Sequence, residues 1–138
     1  MFQVRGIDHV VYRVRDLKAV EAFYRDILGC EVVKRQEHLG LVHIRTGSAL
    51  VDLISVEGKL GRMGGAAPSR EGQNVAHLCL RVDPFEGPAL LRHLNALGVS
   101  ASEISSNFGA EGEGPSLYLK DPEGNTIELK GPAKPSQS

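Results

Sequence analysis

Apolar positions along this chain follow two rhythms that appear in the same order twice. From Ile7 to Val14 the pattern alternates: Val10, Tyr12 and Val14 share one side, and His9, Val11 and Arg13 share the other. A period of two predicts a half-buried strand. After Asp16 the spacing changes to three and four, through Leu17, Val20, Phe23, Tyr24, Ile27 and Leu28, and Gly29 follows. An acid at the start and a glycine at the stop suit a helix, the first by capping and the second by tolerating a left-handed backbone. Alternation returns at Glu31 to Arg35, Leu41 to Arg45 and Ala49 to Ile54, the last two turned by Thr46-Gly47. The second half repeats this order. A strand pattern spans Val75 to Val82, and a helix pattern starts near Phe85 with Leu90, Leu91, Leu94 and Leu97, closed by Gly98. Strand patterns follow at Val99 to Ile104, Ser116 to Lys120 and Thr126 to Leu129, the last two joined by Asp121-Pro122-Glu123-Gly124-Asn125. Pro then Gly in a five-residue connection is a hairpin signal.

Each half therefore reads β-α-β-β-β, an α+β arrangement. A helix can cover one face of such a sheet, and the other face needs a partner. The expected architecture is two βαβββ modules forming one eight-stranded half-open barrel, a cup, with a helix behind each sheet. A single domain over residues 1–131 would hold module one at about 5–56, a Gly-rich linker at about 57–73 and module two at about 74–131. Residues 132–138 read as a flexible tail. Ser105 to Gly114, with Gly109, Gly112 and Gly114, reads as a mobile flap. One face of each sheet is aliphatic. The other carries His9, Arg13, His77, Cys79, Arg81, Tyr118, Lys120 and Glu128, so it must line something wet.

Composition narrows the class without supplying chemistry. The chain has 138 residues, 41% hydrophobic and 24% charged, with a net charge of −1. These are ordinary values for a globular protein, and no basic stripe is present for nucleic acid or an anionic membrane. The N-terminal residues lack an apolar run, and no segment approaches the length of a membrane-spanning helix. Cys30 and Cys79 read as reduced thiols, which points to a cytoplasmic protein with neither nucleic-acid nor membrane partners.

Four motifs then converge: Ile7-Asp8-His9-Val10, Phe23-Tyr24-Arg25-Asp26-Ile27-Leu28-Gly29, Ala76-His77-Leu78, and Asp121-Pro122-Glu123-Gly124-Asn125-Thr126-Ile127-Glu128-Leu129. Together they resemble the vicinal oxygen chelate superfamily, which includes glyoxalases, methylmalonyl-CoA epimerases, fosfomycin-modifying thiol transferases, extradiol dioxygenases and bleomycin-resistance proteins. In that superfamily the metal ligands sit on the first and last strands of each module. Carried onto this chain, the resemblance implies His9, His77 and Glu128 as metal ligands, with Asp52 at the remaining position. Two imidazoles and a carboxylate suit a borderline divalent ion, with Zn, Ni, Mn and Fe(II) all compatible. Glyoxalase I has Glu or Gln where Asp52 stands, one methylene longer. That leaves open whether Asp52 binds the ion directly, binds through water, or serves as the base.

The resemblance implies a metal-dependent glyoxalase-like lyase or isomerase that stabilises an enediolate or oxyanion of a small anionic substrate. Glu128 and Asp52 would move the proton. Arg13, Arg45, Arg81 and Lys120 would meet the anionic end, Tyr118 would contact substrate, and His43 would contact substrate or shuttle a proton. His93 reads as a surface residue, His38 falls in a turn, and Cys79 reads as a small buried filler. A fosfomycin-type thiol transferase, an extradiol dioxygenase and a non-catalytic bleomycin-resistance-type binding protein remain as alternatives. A homodimer is expected, since the sheets leave edge strands that need cover.

Overall fold

The computed structural model describes residues 1–135 and is α+β, as expected. The chain divides into two compact units, Met1–Gln73 and Asn74–Ser138. In the first unit, β1 (His9–Val14) is followed by α1 (Leu17–Ala22), β2 (Glu31–Gln36), β3 (Leu41–Thr46) and β4 (Ala49–Ser55). The sheet order is β1-β4-β3-β2, with β1 parallel to β4 and the other pairs antiparallel. In the second unit, β5 (Leu78–Arg81) is followed by α2 (Gly87–Ala96), β6 (Ser105–Gly109), β7 (Gly112–Lys120) and β8 (Thr126–Lys130). Its order, β5-β8-β7-β6, repeats that of the first unit strand for strand.

Local chemistry explains the helix ends. The Asp16 carboxylate accepts from the Ala19 N–H at 3.0 Å, satisfying a donor that the first turn of α1 leaves open. Past Ala22 the chain widens into a π-type turn over Phe23–Ile27, and Gly29 takes a φ of +70° to leave it. Gly98 has a φ of +79° just past α2. The alternating pattern sorts the faces as read. Val14, Val42, Ile44, Val51 and Leu53 are buried in the first unit with Val20, Phe23 and Tyr24. Leu117, Leu119, Ile127 and Leu129 are buried in the second with Leu94.

Three features differ from the sequence pattern. Val99 to Ile104 forms only an isolated bridge, Ala101 to Leu119, where a strand is expected. The edge strand is instead β6, inside the segment expected to be a flap. Its Ser-Ser-Asn-Phe-Gly sequence has no apolar alternation, but an edge strand needs a ladder on one side only. Register pairs Ser105 with Ser116 through Gly109 with Gly112, and Asn107 Nδ2 donates to Ser116 Oγ at 2.6 Å. Third, β2 carries a bulge between Val32 and Lys34. Strict alternation would place Arg35 with Glu31 and Gln36 with Val32. The extra residue inverts this, so Arg35 pairs with Val42 on the helix side and Gln36 with Leu41 on the polar side. Arg35 accordingly donates to Glu21 of α1 at 2.9 and 3.1 Å.

The glycine-rich connection is anchored. The Arg13 guanidinium donates to the carbonyls of Gly61 at 3.1 Å, Gly65 at 2.6 Å and Ala66 at 3.2 Å. A Cβ at Gly61 would lie 1.8 Å from the Ser55 carbonyl oxygen, so only glycine fits this approach. After β8, the N–H groups of Gly131 and Lys134 donate to Pro115 and Glu113 at 2.8 and 2.7 Å, running this segment beside β7. Of the expected tail, residues 136–138 lie outside the described residues. Among the described residues no helix is long and apolar enough to cross a membrane.

Candidate functional site

In each unit the same strand register brings a histidine of the first strand region toward a carboxylate on the last strand. In the first, β4 lies between β1 and β3, so Asp52 stands beside Val11 on one side and His43 on the other. His9 is two residues before Val11 and therefore on the same face. Its Nε2 is 4.0 Å from Asp52 Oδ2, and its Nδ1 is 2.7 Å from Asp8 Oδ1. Asp8 raises the His9 pKa above its ordinary value through that hydrogen bond. With Nδ1–H donated to Asp8, Nε2 is the nitrogen left with a free lone pair. Asp52 is only 3% exposed, and its Oδ1 accepts from His43 Nδ1 at 2.9 Å.

The second unit repeats the arrangement with different chemistry. Glu128 on β8 stands beside Cys79 of β5 and Tyr118 of β7. His77, immediately before β5, brings Nε2 to 3.1 Å from Glu128 Oε1, and its ring meets Tyr118 edge-on at 5.5 Å. Glu128 is 5% exposed, between the register neighbours Cys79 and Tyr118. Burial and the Glu128 charge raise the Tyr118 phenol and push the Cys79 thiol up to about 11. Both groups therefore keep their protons near pH 7.

The turn before β8 fixes this register. Asp121 Oδ1 accepts from the N–H groups of Glu123 and Asn125 at 2.8 and 2.9 Å, and Oδ2 from Asn125 Nδ2 at 2.9 Å. Gly124, at φ +83°, closes the turn back to the Asp121 carbonyl at 3.0 Å. This loop delivers Thr126 opposite Lys120, and hence Glu128 opposite Tyr118.

The remaining sequence-selected residues divide. Arg45 lies on the polar side of β3, opposite Leu50 and Glu31. Lys120 Nζ donates to Thr126 Oγ1 at 3.0 Å. Arg81 is held by Glu111 and by the Val82 carbonyl, and Arg13 by the three linker carbonyls described above. Cys79 as a whole residue is exposed rather than a buried filler, although its thiol is partly desolvated beside Glu128. His38 and His93 are exposed, the latter as read. Within neither unit do three or more His, Cys, Asp or Glu side chains gather as a metal site among the described residues. The donor set nonetheless fits a borderline divalent ion, since each unit presents one imidazole nitrogen beside one buried carboxylate.

Three residues of these networks escaped the sequence reading. Asp8 stood inside a quoted motif without a role. Lys130 is 5% exposed, with Nζ donating to the Gly112 carbonyl at 3.0 Å. Extending the β8 alternation two residues beyond Glu128 would have found it. Gln36 reaches His43 only because of the β2 bulge, for which the sequence carries no signal.

Comparison with known proteins adds an independent line. A family model described as "Glyoxalase/Bleomycin resistance protein/Dioxygenase superfamily" matches residues 6–129. Mitochondrial methylmalonyl-CoA epimerase of Mus musculus is 28% identical over 136 residues, covering 94% of this chain and 75% of that protein. A virulence protein of Salmonella typhimurium is 30% identical over 125 residues, covering 89% of this chain and 81% of its own. The crystal structure of that virulence protein matches with a TM-score of 0.77 at 25% identity, over 96% of this chain and 100% of that one. A lactoylglutathione lyase structure from Agrobacterium tumefaciens matches with a TM-score of 0.67 at 24% identity, over 93% and 94% of the two chains.

Proposed function

The chain belongs to the Glyoxalase/Bleomycin resistance protein/Dioxygenase superfamily, and from that premise we propose that it is a metal-dependent lyase or isomerase of the glyoxalase kind. Its substrate would be a small anionic molecule bearing a proton beside a carbonyl. The observation that carries this reading is the repeated imidazole–carboxylate pair, His9 with Asp52 and His77 with Glu128. His9, His77 and Glu128 would hold the ion, and Zn, Ni, Mn and Fe(II) all suit that donor set. When bound, such an ion supplies Lewis-acid stabilisation for negative charge on two adjacent substrate oxygens.

The remaining chemistry belongs to side chains. Asp52 is the better base, because Glu128 is already held by His77 at 3.1 Å, whereas Asp52 Oδ2 faces His9 at 4.0 Å. Asp52 takes the proton from the carbon beside the carbonyl, and the C–H electron pair moves onto the carbonyl oxygen. Asp52 returning that proton to the neighbouring carbon completes an isomerisation, and returning it to the same carbon gives exchange with solvent protons. Arg45 and Lys120, with Arg81 exchanging its exposed pairing with Glu111, receive the anionic end. Tyr118 stands opposite Glu128 on β7, where its phenol can donate to the carboxylate.

Purified protein loaded separately with Zn, Ni, Mn and Fe(II) should exchange or isomerise an α-protonated acyl thioester or a hemithioacetal. Turnover of a catechol, or thiol addition to fosfomycin, would instead select the dioxygenase or thiol-transferase alternative. Tight binding of bleomycin without any turnover would select the binding protein. We also infer a homodimer, which light scattering would register as about twice the 14.9 kDa chain mass; a monomer mass at micromolar concentration excludes it. A cytoplasmic location is supported by the free thiols of Cys30 and Cys79, and recovery in a secreted fraction would oppose it.

A further inference from the structure

We infer that Gln36 and His43 are positioning residues that decide which oxygen of Asp52 is presented to the site. The inference rests on the reading above only in taking Asp52 as a working carboxylate. Asp52 Oδ1 lies 2.9 Å from His43 Nδ1, and an ionised carboxylate can only accept, so Nδ1 carries the proton. The other ring nitrogen, His43 Nε2, lies 2.9 Å from Gln36 Nε2, an amide that can only donate through that atom. One hydrogen pattern satisfies both contacts. Gln36 N–H donates to His43 Nε2, and His43 Nδ1–H donates to Asp52 Oδ1. His43 is then a neutral imidazole in the Nδ1–H tautomer. Its outer nitrogen is capped, so it orients the carboxylate and passes no proton onward.

The consequence for Asp52 is asymmetry. Oδ1 is occupied by His43, whose side chain is only 18% exposed, and Oδ2 is the oxygen turned toward His9. A 3% exposed carboxylate with one oxygen fixed cannot rotate freely, so a single lone-pair direction is offered to whatever binds there.

Two further observations support selection of this arrangement. The β2 bulge moves Gln36 from the helix side of the sheet to the side of His43, and bulges commonly re-aim side chains beside functional sites. In the second unit, Tyr118 occupies the register position against Glu128 that His43 occupies against Asp52, so it too sets a side chain able to donate beside a buried acid. Two different residue types at matched positions share the ability to donate one hydrogen bond to a carboxylate. That common property, rather than packing or substrate contact, is what the geometry assigns to His43.

Imidazole nitrogen NMR on the metal-free protein tests this. Besides the exposed Nδ1–H of His9, wild type should show a neutral Nδ1–H histidine with a slowly exchanging, downfield proton, assigned by its absence in His43→Asn. Gln36→Leu should speed exchange of that proton about tenfold or more, and Asp52→Leu should move it upfield. In unfolding titrations His43→Asn, whose amide N–H reaches the Nδ1 position, should retain most of the folding equilibrium constant. His43→Leu should lose about tenfold or more, and that difference should fall below about threefold in an Asp52→Leu background. An Nε2–H or doubly protonated His43 in wild type at neutral pH would overturn the inference. So would a Gln36→Leu spectrum identical to wild type, or equal losses for His43→Asn and His43→Leu. If the protein takes up no Zn or Mn, the proposed function fails while these metal-free results stand on their own.

Discussion

Replacing Asp121 with alanine should weaken the fold through one side chain that organises the turn before β8. The Asp121 carboxylate is 7% exposed and accepts three hydrogen bonds, at 2.8, 2.9 and 2.9 Å. A hydrogen bond to a charged group contributes about 1.5–3 kcal/mol net, but two of the donors are backbone N–H groups near the surface that water can partly resatisfy. The combined expectation is a loss of about 2–4 kcal/mol for Asp121→Ala, a large share of the ~5–15 kcal/mol typical of a whole domain. Asp121→Asn keeps an acceptor for the Glu123 and Asn125 N–H groups and turns an amide toward Asn125 Nδ2, so its loss should be smaller, about 1–2 kcal/mol. Urea unfolding followed by circular dichroism measures both, with the slope of the transition checking that the unfolded surface is unchanged. An alanine variant within about 0.5 kcal/mol of wild type would refute the reasoning, because water would then be replacing the carboxylate at no cost. An asparagine variant as weak as alanine would show that charge, rather than the acceptor geometry, carries the turn.

Two other outcomes follow from the site. Cys79 is pushed up to about 11, first by burial and then by the Glu128 charge, both of which disfavour thiolate. Alkylation by iodoacetamide should therefore be slow at pH 8 and climb toward pH 11, and Glu128→Gln should lower that midpoint. A wild-type rate at pH 8 matching a free cysteine would contradict the assignment. Glu128→Gln should weaken Zn or Mn binding about tenfold or more. Asp52→Asn should keep the ion within about threefold and lower turnover about 10²–10⁴-fold, as loss of a general base does. If Asp52→Asn strips the ion as thoroughly as Glu128→Gln, the centre has four ligands and Asp52 is not the base.

Much of the fold was legible because its signals are local. Alternation set the two faces of β4 and β8, placing Asp52 and Glu128 opposite Leu53 and Leu129. Asp16, Gly29 and Gly98 mark helix ends through capping and left-handed backbone, and the structure places them there. The internal repeat located His9 and His77 together. What escaped depends on pairing rather than pattern. β6 is held by the β7 ladder and by Asn107 to Ser116, so its polar sequence carried no strand signal. Arg13 faces the polar side as expected, yet the sequence gives no hint that three linker carbonyls occupy its donors. Gln36 depends on a bulge, and a one-residue slip reverses every side chain that follows it. The partners of each carboxylate were likewise hidden. Alternation puts His43 and Tyr118 on the right face, but only register shows that each stands directly opposite an acid.

The central claim is that His9, His77 and Glu128 hold a divalent ion. Equilibrium dialysis of metal-stripped protein against Zn or Mn, read by elemental analysis, tests it most directly. The account expects about one ion per chain, with His9→Ala, His77→Ala and Glu128→Gln each weakening binding about tenfold or more. Affinity should also fall as pH drops through the raised pKa of His9, because protons then compete for Nε2. Failure of wild type to take up either ion, or uptake that His9→Ala leaves unchanged, would contradict it.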